Sequence, residues 1–320
     1  MNKDKVRQFT RSHTTEISSF IALMILCVIL SVITENFLTT SNILSVFHQV
    51  SYVAIMAVGM SFLILSGNID LAITATLAFS VSVMGELYAN KGWPAAAAIL
   101  AAVVVGVGCG FLSSVLIAKL HLNAFIVTLA MMNVYRGIAS VYTNGYSAQG
   151  MPAMIQYLGQ GRILGIPSAI ILMLAVYVIA WFIQKKTSYG LNLYAIGGNA
   201  NAAQLSGINV VKVRTIAFLI NGFLAALSGM VLAGRMNSTN PSMADGVEMD
   251  CIAAAVIGGT SMAGGEGQIW GTLIGALLMG VVRNGLNQLG ISAFWQKVAL
   301  GVVVLLAVTL DSMRRMRKKE

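Results

Sequence analysis

The sequence predicts an all-α integral membrane protein, a polytopic bundle of about ten transmembrane helices with broken helices. Of its 320 residues, 57% are hydrophobic and only 10% are charged, against about 25% charged residues in an ordinary soluble domain. Too little charge is present to cover a soluble protein of this size. Uncharged runs such as 17–34 and 95–118 instead match the roughly 20 apolar residues that one spanning helix needs.

Ten apolar segments are predicted to span the membrane. They lie near residues 17–34, 45–65, 69–88, 93–118, 124–142, 163–183, 213–234, 249–263, 268–287 and 294–310. The second and eighth segments are short and interrupted, so a model with fewer complete crossings stays open. Within the segments, Gly106-x-x-x-Gly110 and Gly271-x-x-x-Gly275 indicate helices that pack closely in lipid.

The basic residues predict the orientation of these spans. Most of the 20 Lys and Arg residues fall on the side of both chain ends in a ten-span arrangement, and an excess of Lys and Arg marks cytoplasmic segments. We therefore expect a cytoplasmic tail over 1–16, a transmembrane domain over 17–310 with a cytoplasmic loop at about 184–212, and a basic cytoplasmic tail over 311–320. On this interpretation the net charge of +9 reflects orientation and not nucleic-acid binding.

The cytoplasmic loop contains a short predicted helix. Asn199 is a typical N-cap, the residues after it favour helix, and Gly207 can end it in a left-handed conformation. The helix would be about 10–12 Å long, too short to span. Two interpretations stay open: an ordinary interhelical loop, or a docking helix for a cytoplasmic partner. Its residues are Asn199, Ala200, Asn201, Ala202, Ala203, Gln204, Leu205, Ser206 and Gly207.

Two further segments are candidates for breaks in helices, although a plain cytoplasmic turn is the alternative for residues 257–267. Residues 257–267 contain five glycines in eleven residues, and irregular backbone at membrane depth is tolerated only against protein or a water-filled cavity. At 66–70, Asp70 either caps a helix beginning at Leu71 or lines a polar path, because a charge inside a span costs about 2.5–3.5 kcal/mol. Paired glycine-interrupted segments can border a transport path, although a chance similarity also explains this pair. The path residues predicted on this basis are Ser66, Gly67, Asn68, Asp70, Gly258, Gly259, Thr260 and Ser261.

The sequence carries no recognisable catalytic chemistry. No P-loop motif occurs, the three histidines lack ligand spacing, and the three cysteines lie in apolar stretches. We therefore predict no catalytic residues, metal or cofactor. The acidic group Asp245, Glu248 and Asp250 is expected in a solvated external loop.

Over roughly residues 41–310 the chain resembles the permease subunits of bacterial sugar ABC importers of the ribose type. The resemblance rests on Ile-Leu-Ser-Gly-Asn-Ile-Asp-Leu at 64–71 and on the order and spacing of the matching segments. These are 54–60, 64–71, 142–145, 195–199, 205–210, 257–265 and 271–276.

This resemblance implies a subunit of the bacterial inner membrane that pairs with a second copy and imports a monosaccharide, either a pentose or a hexose. It also implies a cytoplasmic ATPase with tandem nucleotide-binding domains and an extracytoplasmic sugar-binding protein as partners. Residues 199–207 match the helix on which the ATPase acts. The alternatives are a secondary transporter of a small polar solute driven by an ion gradient and a membrane enzyme acting on lipid or polyprenyl substrates.

The sequence departs from the family pattern next to Asp70. Asn68 stands where the family has glycine before Ile-Asp, and Thr74-Ala75 replaces a Gly-Ser pair. Polar side chains therefore stand where the family leaves space. We expect either different helix packing at this point or a substrate other than ribose.

Overall fold

A computed structural model describes residues 14–319, and the side-chain surroundings of residues 17–306 and Thr309. Most of the predicted N-terminal tail and the side chains of the basic tail at 311–320 lie outside these described residues.

The described chain is almost entirely helical. In chain order the helices are α1 (Thr14–Ile33), α2 (Thr40–Leu65), α3 (Ile73–Gly85), α4 (Ala95–Ser114), α5 (Ala124–Tyr142), α6 (Ala153–Gln160), α7 (Ser168–Lys186), α8 (Ser188–Gly198), α9 (Ala200–Leu205), α10 (Val210–Met236), α11 (Val247–Ile257), α12 (Ile269–Gln288) and α13 (Ala293–Lys319). One π-helical turn each, Glu86–Asn90 and Val115–Lys119, extends α3 and α4.

Two antiparallel strand pairs complete the secondary structure of the described residues. Strand β1 (Ala148–Gln149) pairs with β4 (Ser238–Thr239), and β2 (Arg162–Ile163) pairs with β3 (Ile166–Pro167). The first pair joins the loop after α5 to the loop after α10, so these two loops lie at the same end of the bundle.

Six of the described helices are long and apolar enough to span a membrane: α2, α4 with its π-helical turn, α5, α7, α10 and α12. The prediction of a multi-pass, all-α membrane protein is confirmed, whereas the number of about ten spans is not. The apolar parts of α1 and α13 are shorter, at 17–33 and 293–306. α3 and α11 contain only 13 and 11 residues.

Burial divides the spanning helices into an inner and an outer set. In the most apolar stretch of each helix, 72% of the residues are buried in α10 and 61% in α2, against 28% in α4 and 22% in α5. Large apolar side chains face outward on the outer helices, for example Leu100, Ile126 and Val141. An apolar surface of this kind is typical of helices that face the lipid of a membrane.

Two contacts between residues distant in sequence show the direction in which α1 runs through the bundle. The Ser19 hydroxyl near the start of α1 donates to the carbonyl of Ile257, whereas Leu30 near its end packs against Gly285. α1 therefore begins at the bundle end that also carries the residues before α12, and finishes at the other. We call the end with α8 and α9 the α9 end, and the end with β1 and β4 the β end.

Glycines bring neighbouring helices into close contact, as the two Gly-x-x-x-Gly patterns predicted. A side chain at Gly106 or Gly110 of α4 would overlap the backbone of α10 at Gly222 or Phe218. A side chain at Gly275 of α12 would overlap the carbonyl of Ala254 on α11. Both packing predictions are confirmed.

Candidate functional site

The short helix predicted in the cytoplasmic loop is present as α9. The Asn199 side chain accepts a hydrogen bond from the Ala202 N–H at 3.0 Å, which makes Asn199 its N-cap. Gly207 has a φ of +86°, the left-handed conformation expected for it. The helix has six residues, about 9 Å, and is shorter than predicted because Ser206 and Gly207 form the turn that ends it.

The side chains of α9 differ sharply in exposure. Ala203 is 5% exposed and belongs to the hydrophobic core, so it faces the protein itself, whereas Leu205 is 91% exposed. The sequence-based interpretation stressed the small residues and gave Leu205 no special weight. The signal was present: an isolated leucine in an otherwise small and polar helix.

Four glycines bring the two predicted helix breaks together beside α9. We call Gly67, Gly197, Gly264 and Gly265 the glycine junction. The Gly265 N–H donates to the Leu65 carbonyl at the end of α2, at 3.0 Å. A Cβ atom on Gly197 would overlap that same carbonyl and the Gly265 nitrogen. A Cβ atom on Gly264 would lie 3.1 Å from the Gly67 nitrogen.

The junction joins α2, α8 and the loop 258–268 backbone to backbone. Gly264 and Gly265 have φ values of +86° and +72°, a conformation that favours glycine. α11 ends at Ile257 and α12 begins at Ile269, so the helix is interrupted over the predicted segment, while the choice between a break at membrane depth and a plain cytoplasmic turn stays a prediction. Two of the predicted path residues in this loop are buried, Thr260 at 1% and Ser261 at 7% exposure.

Asp70 lies two residues before Ala72, the N-cap residue of α3, and α3 has no side-chain capping hydrogen bond, so the predicted cap of a helix beginning at Leu71 is not formed. The Asp70 Oδ1 accepts from the Ala72 N–H at 2.8 Å, and its Oδ2 accepts from the Asn221 side-chain amide on α10 at 2.7 Å. Asp70 is 3% exposed. Its second predicted role, as part of a polar path, stays a prediction together with that of the other path residues.

The expectation that the whole acidic group lies in a solvated loop is wrong for Glu248 and Asp250. Both are 8% exposed, because α11 begins at Val247 and its first turn enters the bundle. Negative charges are favourable in the first turn of a helix. Only Asp245, in the preceding loop, has an exposed side chain, at 71%.

Buried polar side chains link α11 to helices distant in sequence. Glu248 accepts a hydrogen bond from the Thr74 hydroxyl at 2.7 Å, and Asp250 pairs with Arg283 on α12 at 2.6 Å. Arg136 on α5 donates to Thr74 and pairs with Asp245 at 3.1 Å. An Arg within an apolar helix was a sequence signal that a buried partner exists, but it does not identify that partner.

The two departures from the family pattern are accommodated by hydrogen bonds. Thr74 lies between Glu248 and Arg136 and bonds to both. The Asn68 amide donates to the Ser66 hydroxyl at 3.1 Å. Both side chains therefore have hydrogen-bond partners within the protein, and the expectation of either different packing or a substrate other than ribose stays a prediction.

These observations describe a multi-pass membrane protein whose helices meet closely at glycines and are joined by buried polar contacts, which is the architecture of a transport permease. The chain belongs to the family described as branched-chain amino acid transport system / permease component, which it matches over residues 42–308.

Individual relatives are similar over nearly the whole chain. The chain is 41% identical to the ribose import permease protein RbsC of Escherichia coli (strain K12), over 97% of each chain. It is 37% identical to the D-allose transport system permease protein AlsC of the same organism, over 91% of this chain and 90% of the relative. The identity is 34% to the L-arabinose ABC transporter permease protein AraH of Azospirillum brasilense, over 92% and 87%.

Proposed function

We propose that this chain is the membrane-spanning subunit of an ATP-binding-cassette importer that translocates a monosaccharide. The observation that carries the proposal is the similarity over nearly the whole chain to permeases named for ribose, allose and arabinose. An extracytoplasmic binding protein would deliver the sugar, and a cytoplasmic ATPase with tandem nucleotide-binding domains would supply the energy. Two copies of the chain would form the translocation unit.

The α9 end would face the cytoplasm, with both chain ends on that side. The direction of α1 supports this arrangement, since α1 begins at the α9 end. α13 would be the last crossing and would return to the α9 end. Gln296 near its start bonds to Asn287 at the end of α12, and Leu300 further along packs on Ala253 of α11 and Met279 of α12. In this arrangement α1, α3, α11 and α13 complete a bundle of ten crossings.

The partners of the permease would bind its conformations with different affinities, and this difference in binding free energy would drive the change from one conformation to the other. The ATPase would dock on the exposed residues of α9. The glycine junction would carry the movement of α9 to the ends of α2 and α11, because its backbones are in direct contact. The predicted path residues at 66–70 and 258–261 lie on the two segments that meet there.

The ion-gradient alternative finds no support in the relatives. In an ion-driven transporter we would expect ionisable groups able to take up a proton or sodium within the bundle. Here the buried carboxylates Asp70, Glu248 and Asp250 are all engaged by side-chain donors. The description of the family favours a different second candidate, the import of a branched-chain amino acid.

Uptake into sealed vesicles tests the proposal. We expect the chain, reconstituted with its ATPase and binding protein, to take up radiolabelled D-ribose, D-allose or L-arabinose only when ATP is enclosed on the ATPase side. Uptake of L-leucine in place of any sugar would support the amino acid candidate. Uptake that persists without ATP and collapses when the ion gradient is dissipated would overturn the importer mechanism.

Leu205→Asp is expected to release the ATPase. A single large apolar side chain that projects from a docking helix is a typical anchor in a partner interface, and Leu205 is 91% exposed. The measurement is the amount of ATPase that co-purifies with the permease in mild detergent, and its ratio to the two expected permease copies.

Leu164→Asp is the matched control, because Leu164 is 99% exposed but lies in the β2–β3 turn, at the end where α7 begins. It should retain the ATPase. Equal retention by Leu205→Asp and the wild type would contradict docking at α9. Ala203 is a poorer probe, because its burial means that a larger side chain would first disturb the permease itself.

A further inference from the structure

A polar cleft opens between four inner helices on the side of the β end. The centres of water molecules can occupy a volume of about 80 Å³ in this cleft, which is room for roughly six waters. In the liquid, that number of waters fills about the volume of one monosaccharide. The residues that line it are Gln49, Val50, Tyr52, Val53, Arg235, Asp250, Ala276, Met279, Gly280 and Arg283. We call this feature the polar cleft.

The position of the cleft sets it apart from the glycine junction. Arg235 lies in the last turn of α10, next to β4, and Asp250 lies in the first turn of α11. Gln49 and Tyr52 are in the first half of α2, which ends at the junction. The cleft is therefore nearer the β end, and none of the predicted path residues lines it.

The cleft offers hydrogen-bonding groups that the protein itself does not use. Among the described residues, the Arg235 guanidinium and the Tyr52 hydroxyl have no hydrogen-bond or ion-pair partner, and both residues are only partly exposed. Asp250 uses its Oδ2 for Arg283, which leaves the Oδ1 as an acceptor. Donors and acceptors thus stand side by side, as the hydroxyl groups of a sugar require.

The remaining wall of the cleft is apolar. Val50, Val53, Ala276 and Met279 would contact the C–H face of a sugar ring, and pockets for small ligands combine such a wall with a few polar groups. The Asp250–Arg283 pair holds two of these polar groups in fixed positions, since its charged atoms are 2.6 Å apart. The side chains of this pair are 11% and 36% exposed, so the pair is reachable from the cleft.

We infer that the polar cleft is a monosaccharide-binding subsite, the first position that the sugar occupies after its release from the binding protein. Arg235 and Tyr52 would donate to sugar hydroxyl groups, and Asp250 would accept from one. This inference rests on the proposed function. It adds a site that lies outside the two glycine-broken segments and that selects among sugars.

The experiment uses the complete importer in vesicles, with D-ribose, D-allose and L-arabinose as probes. Arg235→Gln and Tyr52→Phe are compared with Lys297→Gln, which removes an exposed cation at the start of α13. We expect the sugar transported per ATP hydrolysed to fall about tenfold in Arg235→Gln, because one charged hydrogen bond is lost. Tyr52→Phe should alter the preference among the three sugars, and Lys297→Gln should match the wild type.

ATP hydrolysis stimulated by the sugar-loaded binding protein reports folding and assembly, and it should persist in all three variants. Wild-type transport with unchanged stoichiometry and preference in both cleft variants would overturn the subsite and leave the proposed function standing. A wild-type importer that takes up none of the three sugars would overturn the proposed function, and the subsite with it.

Discussion

Gly197→Ala is expected to lower ATP-driven uptake sharply while ATP hydrolysis by the attached ATPase continues. The added methyl group would overlap the Leu65 carbonyl and the Gly265 nitrogen, which are backbone atoms and cannot rotate away. α8 would have to move off the end of α2, and the contact between α9 and the two helix breaks would be lost. Coupling energies between sites typically correspond to about 5- to 150-fold changes, and we expect a loss within this range.

Gly198→Ala is a matched control one residue away. No atom lies within 4 Å of the position that its Cβ would occupy, so uptake should equal that of the wild type. The measurement is the ratio of sugar transported to ATP hydrolysed in vesicles, with the melting temperature of each variant recorded in detergent. A Gly197→Ala variant that melts like the wild type and transports at the wild-type ratio would contradict a coupling role for the glycine junction.

Features that depend on neighbouring residues could be predicted from the sequence. Asn199 as an N-cap, Gly207 in a left-handed turn and the break after Ile257 each follow from the conformational preferences of one or a few residues. The contacts at Gly106 and Gly275 were also predictable, because residues four apart lie on one face of a helix. The number of spans was harder, since apolar composition does not distinguish an 11-residue helix from a complete crossing.

Features that depend on the pairing of distant residues could not be predicted. Nothing local to Glu248 indicates that Thr74, 174 residues earlier, donates to it. The same holds for Asp250 and Arg283, and it explains why a carboxylate pair at the start of α11 was expected in solvent. The glycine junction also needs three chain segments to meet, although each glycine-rich segment was visible alone.

Asn221→Leu is expected to lower the free energy of unfolding by about 1.5–3 kcal/mol, the range for a hydrogen bond to a charged group. The Asp70 carboxylate would keep the Ala72 N–H but lose its second donor, while its 3% exposure gives it little water as a replacement. Asn221 is itself 1% exposed, and leucine, which has the same branching and the same number of side-chain heavy atoms, leaves no cavity there. The measurement is equilibrium unfolding in detergent micelles.

A double-mutant cycle with Asp70→Asn separates this hydrogen bond from packing. If the carboxylate is the cause, the two changes together should cost less than the sum of the single changes, because Asp70→Asn removes the charge that Asn221 stabilises. Asn133→Leu serves as the control, since Asn133 is exposed and its amide bonds only within its own helix, to the Leu129 carbonyl. Additive costs in the cycle would mean that Asn221 acts through its packing against Gly59, whose added Cβ would lie 2.9 Å from the Asn221 Cα.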